Sequence, residues 1–137
     1  MIRANIKKFE GKGSFAMLEL ADAWCKLVND SNAKIQLSAL ENMKNLLDSV
    51  LPFIMNHIQL FYKSLLTNLG STNLGVRKGS EAVLRHLNSN TSDQQVLLQM
   101  AVTVVQSSNN VRMRAGVIDQ MVEVLEIVAQ ELGANNK

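Results

Sequence analysis

The chain has 137 residues, a formal net charge of +2 and 47% hydrophobic residues, values that fit a single globular domain. Its one cysteine, Cys25, excludes an internal disulfide and favours a reducing, cytoplasmic compartment. No run approaches the roughly 18 apolar residues of a membrane span, and the first residues lack the apolar segment of a secretory signal.

Charge is distributed unevenly along the chain. Six basic and two acidic residues lie between Lys63 and Arg114, whereas the segment from Asp119 to Glu131 has four acidic residues and no basic one. The basic stretch favours an acidic partner. The small net charge and the lack of interleaved aromatic and basic residues argue against nucleic-acid binding.

The first predicted elements are a basic leader and one amphipathic helix. Residues 1–13 are expected to be a leader or the remnant of a preceding unit. The helix is predicted from about Ser14 to Val28, because apolar residues recur there at helical spacing. Its predicted stripe consists of Leu20, Ala23, Trp24, Leu27 and Val28.

The second and third predicted helices meet near a proline. Asn32 is expected to cap the second helix by accepting hydrogen bonds from its first turn. This helix should end near Ser49, since Pro52 restricts the residue before it, and Pro52 should open a third helix to Leu69. Gly70 is predicted to stop that helix in a left-handed conformation. The predicted stripes are Ile35, Ala39, Met43, Leu46 and Leu47, then Ile58, Phe61, Tyr62, Leu65 and Leu66.

Three more helices are predicted over 74–87, 91–106 and 111–132. Asn88 to Asn90 is expected to be a turn, and Thr91 with Gln94 has the spacing of a capping box. Gly133 is expected to end the last helix and leave a tail at 134–137. The sequence therefore predicts one all-α domain over 14–133, built from six helices in three antiparallel pairs.

The three pairs follow an internal repeat. Asn32, Asn73 and Asn110 are 41 and 37 residues apart, and each precedes a predicted helix. Three residues later lies an apolar residue, and the next position holds Gln36, Arg77 or Arg114. A period near 40 residues built from helix pairs is typical of helical solenoids of the HEAT and armadillo type, an α–α superhelix.

Residues for chemistry are sparse. His57 and His86 have no cysteine or carboxylate at metal-ligand spacing, and no glycine-rich cofactor fingerprint follows a strand. The chain is therefore expected to be a non-enzyme without a cofactor or metal. The core is expected to contain Trp24, Tyr62 and five methionines at helical spacing, Met43, Met55, Met100, Met113 and Met121.

Basic residues at the starts of the second, fourth and sixth helices are the candidate binding residues. Loops within the pairs of a helical solenoid line up along one edge, which would place Lys34, Arg77, Lys78, Arg112 and Arg114 on one ridge. Cations at helix N-termini oppose the helix dipole and destabilise the helix. Their presence favours a use in docking an acidic protein surface.

A family resemblance adds to this interpretation. Residues 73–84, with Val76, Arg77 and two small residues, resemble the second helix of a HEAT repeat, and the stretch from Trp24 to Leu125 looks like HEAT repeats of the TOG class. TOG arrays are the tubulin-binding arrays of microtubule polymerases and related proteins. The resemblance implies a tubulin-binding edge at Lys34, Asn73, Lys78, Asn110, Arg112 and Arg114.

The resemblance also implies a place at the cytoskeleton, centrosome or cilium. In HEAT repeats the early arginine of the second helix often bonds a loop aspartate of the neighbouring repeat. Arg77 is therefore expected either to hold the structure together, for example by reaching Asp30, or to bind the partner.

Two functions from different classes remain. The first is a non-catalytic, TOG-like protein-binding module that docks an acidic protein through its loop edge, with tubulin as the partner that the resemblance implies. The alternative is a structural HEAT-type scaffold or subunit that binds another protein through an exposed face of a terminal helix. Apolar residues left uncovered on such a helix favour the alternative.

Overall fold

The computed structural model describes the backbone of residues 14–135 and the side chains of residues 18–133. The predicted leader at 1–13 lies outside these residues. In the described part there are six α-helices and no strand, which confirms the all-helical class. The helices are α1 (Ser14–Val28), α2 (Ala33–Ile54), α3 (Ile58–Thr67), α4 (Leu74–Asn90), α5 (Gln94–Ser107) and α6 (Val111–Asn135), with short 3-10 helices at Met55–His57 and Asn68–Gly70.

The helices contact one another in a regular order. Sequential contacts join α1 to α2, α3 to α4, and α5 to α6. The odd-numbered helices follow one another in contact, α1 with α3 and α3 with α5, and so do the even-numbered helices, α2 with α4 and α4 with α6. Helix α4 therefore lies in the middle of the row α2–α4–α6.

Large side chains of the first four helices fill the core. The rings of Trp24 and Phe61 meet edge to face with centroids 6.0 Å apart, and the Trp24 indole donates to the Ala39 carbonyl at 3.4 Å. The predicted stripe of α3 is buried throughout, and Leu84 of α4 is fully buried. Met43 is buried, and Met100, Met113 and Met121 pack partly buried against the core.

Two predicted stripes were partly wrong. In α1 the buried residues are Ala21, Trp24 and Val28, whereas Leu27 is 46% exposed. In α2 the predicted Ile35 is 42% exposed, whereas Val76 at the same position of α4 is fully buried, since α4 has a neighbour on both sides in the row. An apolar residue at helical spacing can flank the buried face as well as lie within it.

The predicted break at Pro52 was also wrong. Helix α2 continues through Pro52 to Ile54, and α3 begins only at Ile58. A proline removes one backbone hydrogen bond, while Leu47, Val50 and Ile54 remain buried at helical spacing and hold the helix in place. The backbone leaves helical geometry later, at Ile54 (φ −102°, ψ −1°) and at His57 (φ −120°, ψ 19°).

Three further boundaries differ from the prediction. Gly70 lies in a 3-10 helix without the left-handed conformation, and Gly133 lies inside α6. Helix α4 extends past Leu87 to Asn90. Thr91 does not form a capping box with Gln94; Asp93 caps α5 by accepting from the Val96 N–H at 3.3 Å.

A buried polar chain explains the junction between α4 and α5. The Tyr62 hydroxyl donates to Asn88 Oδ1 at 2.8 Å, and Asn88 Nδ2 donates to Gln120 Oε1 at 2.8 Å. Gln94 Nε2 donates to the Asn88 carbonyl, also at 2.8 Å. Asn88 is therefore a core residue that joins α3, α4 and α6. The Gln94 side chain donates a hydrogen bond to a backbone carbonyl near the end of α4.

Candidate functional site

Three loops of the same design precede α2, α4 and α6. Asn32 accepts from the Lys34 N–H at 2.9 Å, Asn73 from the Val76 N–H at 3.1 Å, and Asn110 from the Met113 N–H at 2.9 Å. These bonds satisfy donors that a helix start leaves free. The predicted cap is confirmed at Asn32, and Asn73 and Asn110 make the same kind of bond. We call the three loops and the first turns that follow them the loop edge.

A second bond in each loop was not predicted. The residue two positions before each Asn accepts a hydrogen bond from that Asn's backbone N–H. The acceptors are Asp30 Oδ1 at 2.8 Å, Ser71 Oγ at 3.1 Å and Ser108 Oγ at 3.1 Å. Asp and Ser favour such turns, so a side-chain oxygen two residues before the cap was the available signal in the sequence.

Arg77 makes a structural contact, although not with Asp30. Its Nη1 donates to the Ser71 carbonyl of its own loop at 2.6 Å, and the side chain is half-buried. Gln36 occupies the same repeat position in α2 and donates to the Val28 carbonyl at 3.1 Å. Gln36 and Arg77, each four residues after the capping Asn, therefore connect the start of their helix to the segment before it.

Neighbouring loops touch. Asn29 of the first loop donates to Asn68 Oδ1 at 2.8 Å, and Asn68 Nδ2 donates to the Val28 carbonyl at 2.8 Å. The first and second loops are therefore joined by a buried side chain. Between the second and third loops, Arg112 Nη1 lies 3.5 Å from the Ser71 carbonyl.

Two glycines allow the second loop and α6 to come close. A Cβ atom added to Gly70 would lie 3.0 Å from Met113 Cβ, and one added to Gly116 would lie 3.0 Å from Leu69 Cβ. Real Cβ atoms rarely come this close, so larger residues at either position would push α6 away. Glycine here permits close packing of the backbones.

The loop edge carries four exposed cations, Lys34, Lys78, Arg112 and Arg114. Among the described residues the ion pairs are Lys26–Asp22, Arg85–Glu123 and His86–Asp48, so none of the four is paired. Asn73 and Asn110, predicted to bind a partner, use their side-chain oxygens as helix caps. The edge is basic and its loops are held in place by internal hydrogen bonds.

A second surface lies on α6. Its residues Val111, Ala115, Ile118, Val122, Leu125, Ala129 and Leu132 are all exposed, and the five larger ones are 49–80% exposed. We call this set the α6 stripe. Its spacing alternates between four and three residues, while Val117, Gln120 and Val124 form the buried side of the same helix. Helix α6 is therefore apolar on two sides.

The residues suited to chemistry do not converge. Burial raises the pKa of the half-buried Cys25 thiol, a hydrogen bond with the Ser64 side chain lowers it, and the charge of Asp22 raises it. His86 Nε2 lies 2.7 Å from Asp48 Oδ1 and links α4 to α2. No cluster of three or more His, Cys, Asp or Glu side chains suited to a metal ion occurs among the residues with described side chains.

No protein-family model, curated protein or solved structure matches this chain. None of the helices in the described part is both long and apolar enough to cross a membrane. The resemblance to tubulin-binding arrays therefore stays a hypothesis, and a function has to be argued from the loop edge and the α6 stripe.

Proposed function

We propose that this protein is a non-catalytic protein-binding module in which the helix pairs stack as a short HEAT-type solenoid. Its loop edge docks an acidic surface of another protein. The observation that supports this most is that three similar loops contact one another in order and carry four exposed cations that pair with none of the described side chains.

The cost of these cations to the fold supports a role in binding. Lys34 and Arg112 are each the second residue of a helix, and Lys78 and Arg114 lie within the first five residues. A positive charge there opposes the helix dipole by about 0.3–1 kcal/mol. An acidic partner would remove that cost and would be steered to the edge by its charge.

Tubulin is the partner that the family resemblance implies, and we propose it as the first probe. The direct test measures binding of the full chain to purified tubulin as salt is raised. Affinity should fall with salt, because charges on exposed surfaces are screened over about 8–10 Å near physiological ionic strength.

A pair of double variants makes the test specific. Lys34→Glu with Lys78→Glu should reduce affinity by about tenfold or more, since two attractive contacts become repulsive. The control, Lys44→Glu with Arg85→Glu, changes the net charge equally at the twelfth residues of the same two helices. If both variants lose binding equally, net charge rather than the loop edge is responsible.

The tubulin proposal is wrong if the wild-type chain does not bind tubulin at low salt. If both double variants bind as tightly as the wild type, the loop edge is not the interface.

The second candidate function is a scaffold or subunit that binds through a terminal helix. The α6 stripe favours it, because contiguous exposed apolar surface on a folded protein commonly marks an interface. The two functions use different surfaces and can coexist in one protein.

A further inference from the structure

The spacing of the α6 stripe identifies the kind of surface that covers it. Alternating steps of four and three residues continue from Val111 to Leu132. This is the pattern of a helix that packs lengthwise against another helix, with the two seam positions of a heptad filled by apolar residues. A flat or irregular partner would not require such a continuous seam.

The opposite side of α6 is already used. Gly116 lies against Leu69, and Glu123 lies 3.9 Å from Arg85 of α4. Both residues lie on the side of the helix away from the stripe. The stripe therefore faces outward from the row α2–α4–α6, where a further helix can lie alongside α6.

The charged residues along one flank of the stripe are complementary to those of a second copy of α6. Arg112, Asp119 and Glu126 follow Val111, Ile118 and Leu125 at intervals of seven residues. All three are exposed, and none belongs to an ion pair among the described side chains. In an antiparallel pair of identical helices, a flank of one helix lies against the same flank of the other. Arg112 of each copy would therefore lie opposite Glu126 of the other copy, which gives two such pairs.

A parallel pair would be less favourable. There, in register, each seam position would face its own copy, so Ala115 and Ala129 would each lie opposite a second alanine and leave gaps in the seam. The antiparallel register matches the sizes of the side chains better: Ala115 would face Leu125, Ala129 would face Val111, and Ile118 would face Val122. The helix face is complementary to itself, as a two-fold interface requires.

We propose that two copies of this chain associate through their α6 stripes as an antiparallel pair, with Arg112 of each copy opposite Glu126 of the other. The contact extends over about 27 Å, from Val111 to Ala129, at a rise of about 1.5 Å per residue. The two copies of Asp119 meet near the two-fold axis and form the one like-charge contact along this flank.

Molar mass measured by sedimentation equilibrium tests the contact. The wild-type chain should form a dimer whose dissociation constant rises at least about 100-fold in Val122→Asp, since the contact would bury an unpaired carboxylate. Leu125→Glu should act in the same way. Both positions are about half exposed, so circular dichroism should show the same helix content. The matched control is Val102→Asp, an exposed apolar position on the neighbouring helix α5.

Charge exchange tests the register. Arg112→Glu alone and Glu126→Arg alone should each weaken the dimer by about tenfold, because two facing pairs turn from attractive to repulsive. The double exchange Arg112→Glu with Glu126→Arg should restore the affinity. Asp119→Asn should strengthen the dimer by removing the like-charge contact.

Disulfide trapping tests the orientation in a Cys25→Ser background. Chains with Ala115→Cys and chains with Leu125→Cys, mixed under oxidising conditions, should form 115–125 links in preference to 115–115 links. Dominant 115–115 links would indicate a parallel pair and overturn the proposal. So would a wild-type chain that stays monomeric up to its solubility limit, or a dimer that Val122→Asp does not weaken.

The dimer is separate from the proposed docking through the loop edge. Lys34→Glu with Lys78→Glu should leave the dissociation constant of the dimer unchanged, and Val122→Asp should leave the loop edge intact. Arg112 belongs to both surfaces and is therefore left out of the tubulin-binding experiment. Either proposal can fail while the other stands.

Discussion

Helices α2 and α6 occupy the two ends of the same row and differ in what they present outward. Both begin after an Asn cap in the same kind of loop, and both contact α4. The exposed residues of α2 at seam spacing are Ile35, Ser38, Asn42, Asn45 and Ser49, of which one is apolar. The exposed residues of α6 at seam spacing form the wholly apolar α6 stripe.

This difference distinguishes the apolar residues that a helix needs in order to pack into the fold from those that it exposes to a partner. A terminal repeat of a stacked helical protein needs a polar outer face to stay soluble, and α2 largely meets that condition. Its partly buried Leu46 and Phe53 pack against the core. Leu18 and Leu27 are exposed on α1, but scattered apolar residues are common on protein surfaces. Helix α6 instead exposes a continuous row of apolar residues.

The largest expected effect compares a buried and an outward leucine. Leu84→Ala should lower the free energy of unfolding by about 2–5 kcal/mol, because it empties a fully buried site. Leu125→Ala, at a position that is 52% exposed, should change it by less than about 0.5 kcal/mol. Urea denaturation measures both, at a protein concentration low enough to keep the chain monomeric.

Equal losses in the two leucine variants would contradict the comparison. The stripe would then be buried within a single copy, and α6 would have no free apolar face. A loss at Leu125 that appears only at high protein concentration would instead agree with the proposed dimer, since association stabilises the folded state by mass action.

The next effect concerns the polar chain that fixes α6. Asn88→Ala should cost about 1–3 kcal/mol, because it leaves the buried Tyr62 hydroxyl and the Gln120 amide without a partner. At the α2 end the comparable link is Asn68, whose partner Asn29 is exposed and can bond water instead. Asn68→Ala should therefore cost less. Thermal or urea unfolding gives the order, and the reverse order would contradict this account.

Tyr62 gives the same region a pH dependence. Burial, with a smaller contribution from the charge of Glu123, raises the pKa of the Tyr62 hydroxyl well above its ordinary value. Above about pH 10 the unfolded chain loses this proton while the folded chain keeps it. Unfolding then releases a proton, and the free energy of unfolding should fall as pH rises further.

Tyr62 is the only tyrosine in the chain, so its ultraviolet absorbance reports this group alone. The native protein should show no phenolate near pH 10, whereas the protein in denaturant should titrate there. In Tyr62→Phe the stability should lose this alkaline dependence. A native titration at the ordinary pKa would mean that α6 does not shield the hydroxyl as described.

Local signals in the sequence predicted the cap of α2. A helix cap depends on a few neighbouring residues, so Asn32 could be recognised as a cap without knowledge of the fold. The end of α2 could not, because the burial of Val50 and Ile54 outweighs the local effect of Pro52. The capping box predicted for Gln94 was wrong for a similar reason. Gln94 donates instead to the Asn88 carbonyl, and this bond depends on the position of Asn88 after folding.

The α6 stripe could be read from the sequence only in part. Apolar residues recur on two sides of α6, and periodicity alone does not tell which side meets the rest of the molecule. Met121 and Val124 follow Asn110 at the same distances as in the other repeats and turn inward. The leftover apolar positions, Ile118, Val122 and Leu125, could be assigned to the outside only from their exposure.

The smallest expected effect tests whether the two ends carry their cations at a cost to stability. Lys34→Glu in α2 and Arg112→Glu in α6 each place a negative charge at the second helical residue, where the dipole favours it. Each should raise the free energy of unfolding by about 0.3–1 kcal/mol at low salt and by less at high salt. Urea denaturation of dilute protein gives the values. If both variants are destabilised, the cations support the fold, and the argument that they are retained for docking an acidic partner is lost. If only Arg112→Glu is destabilised, the 3.5 Å contact with the Ser71 carbonyl outweighs the dipole, and Lys34 with Lys78 alone would define the binding edge.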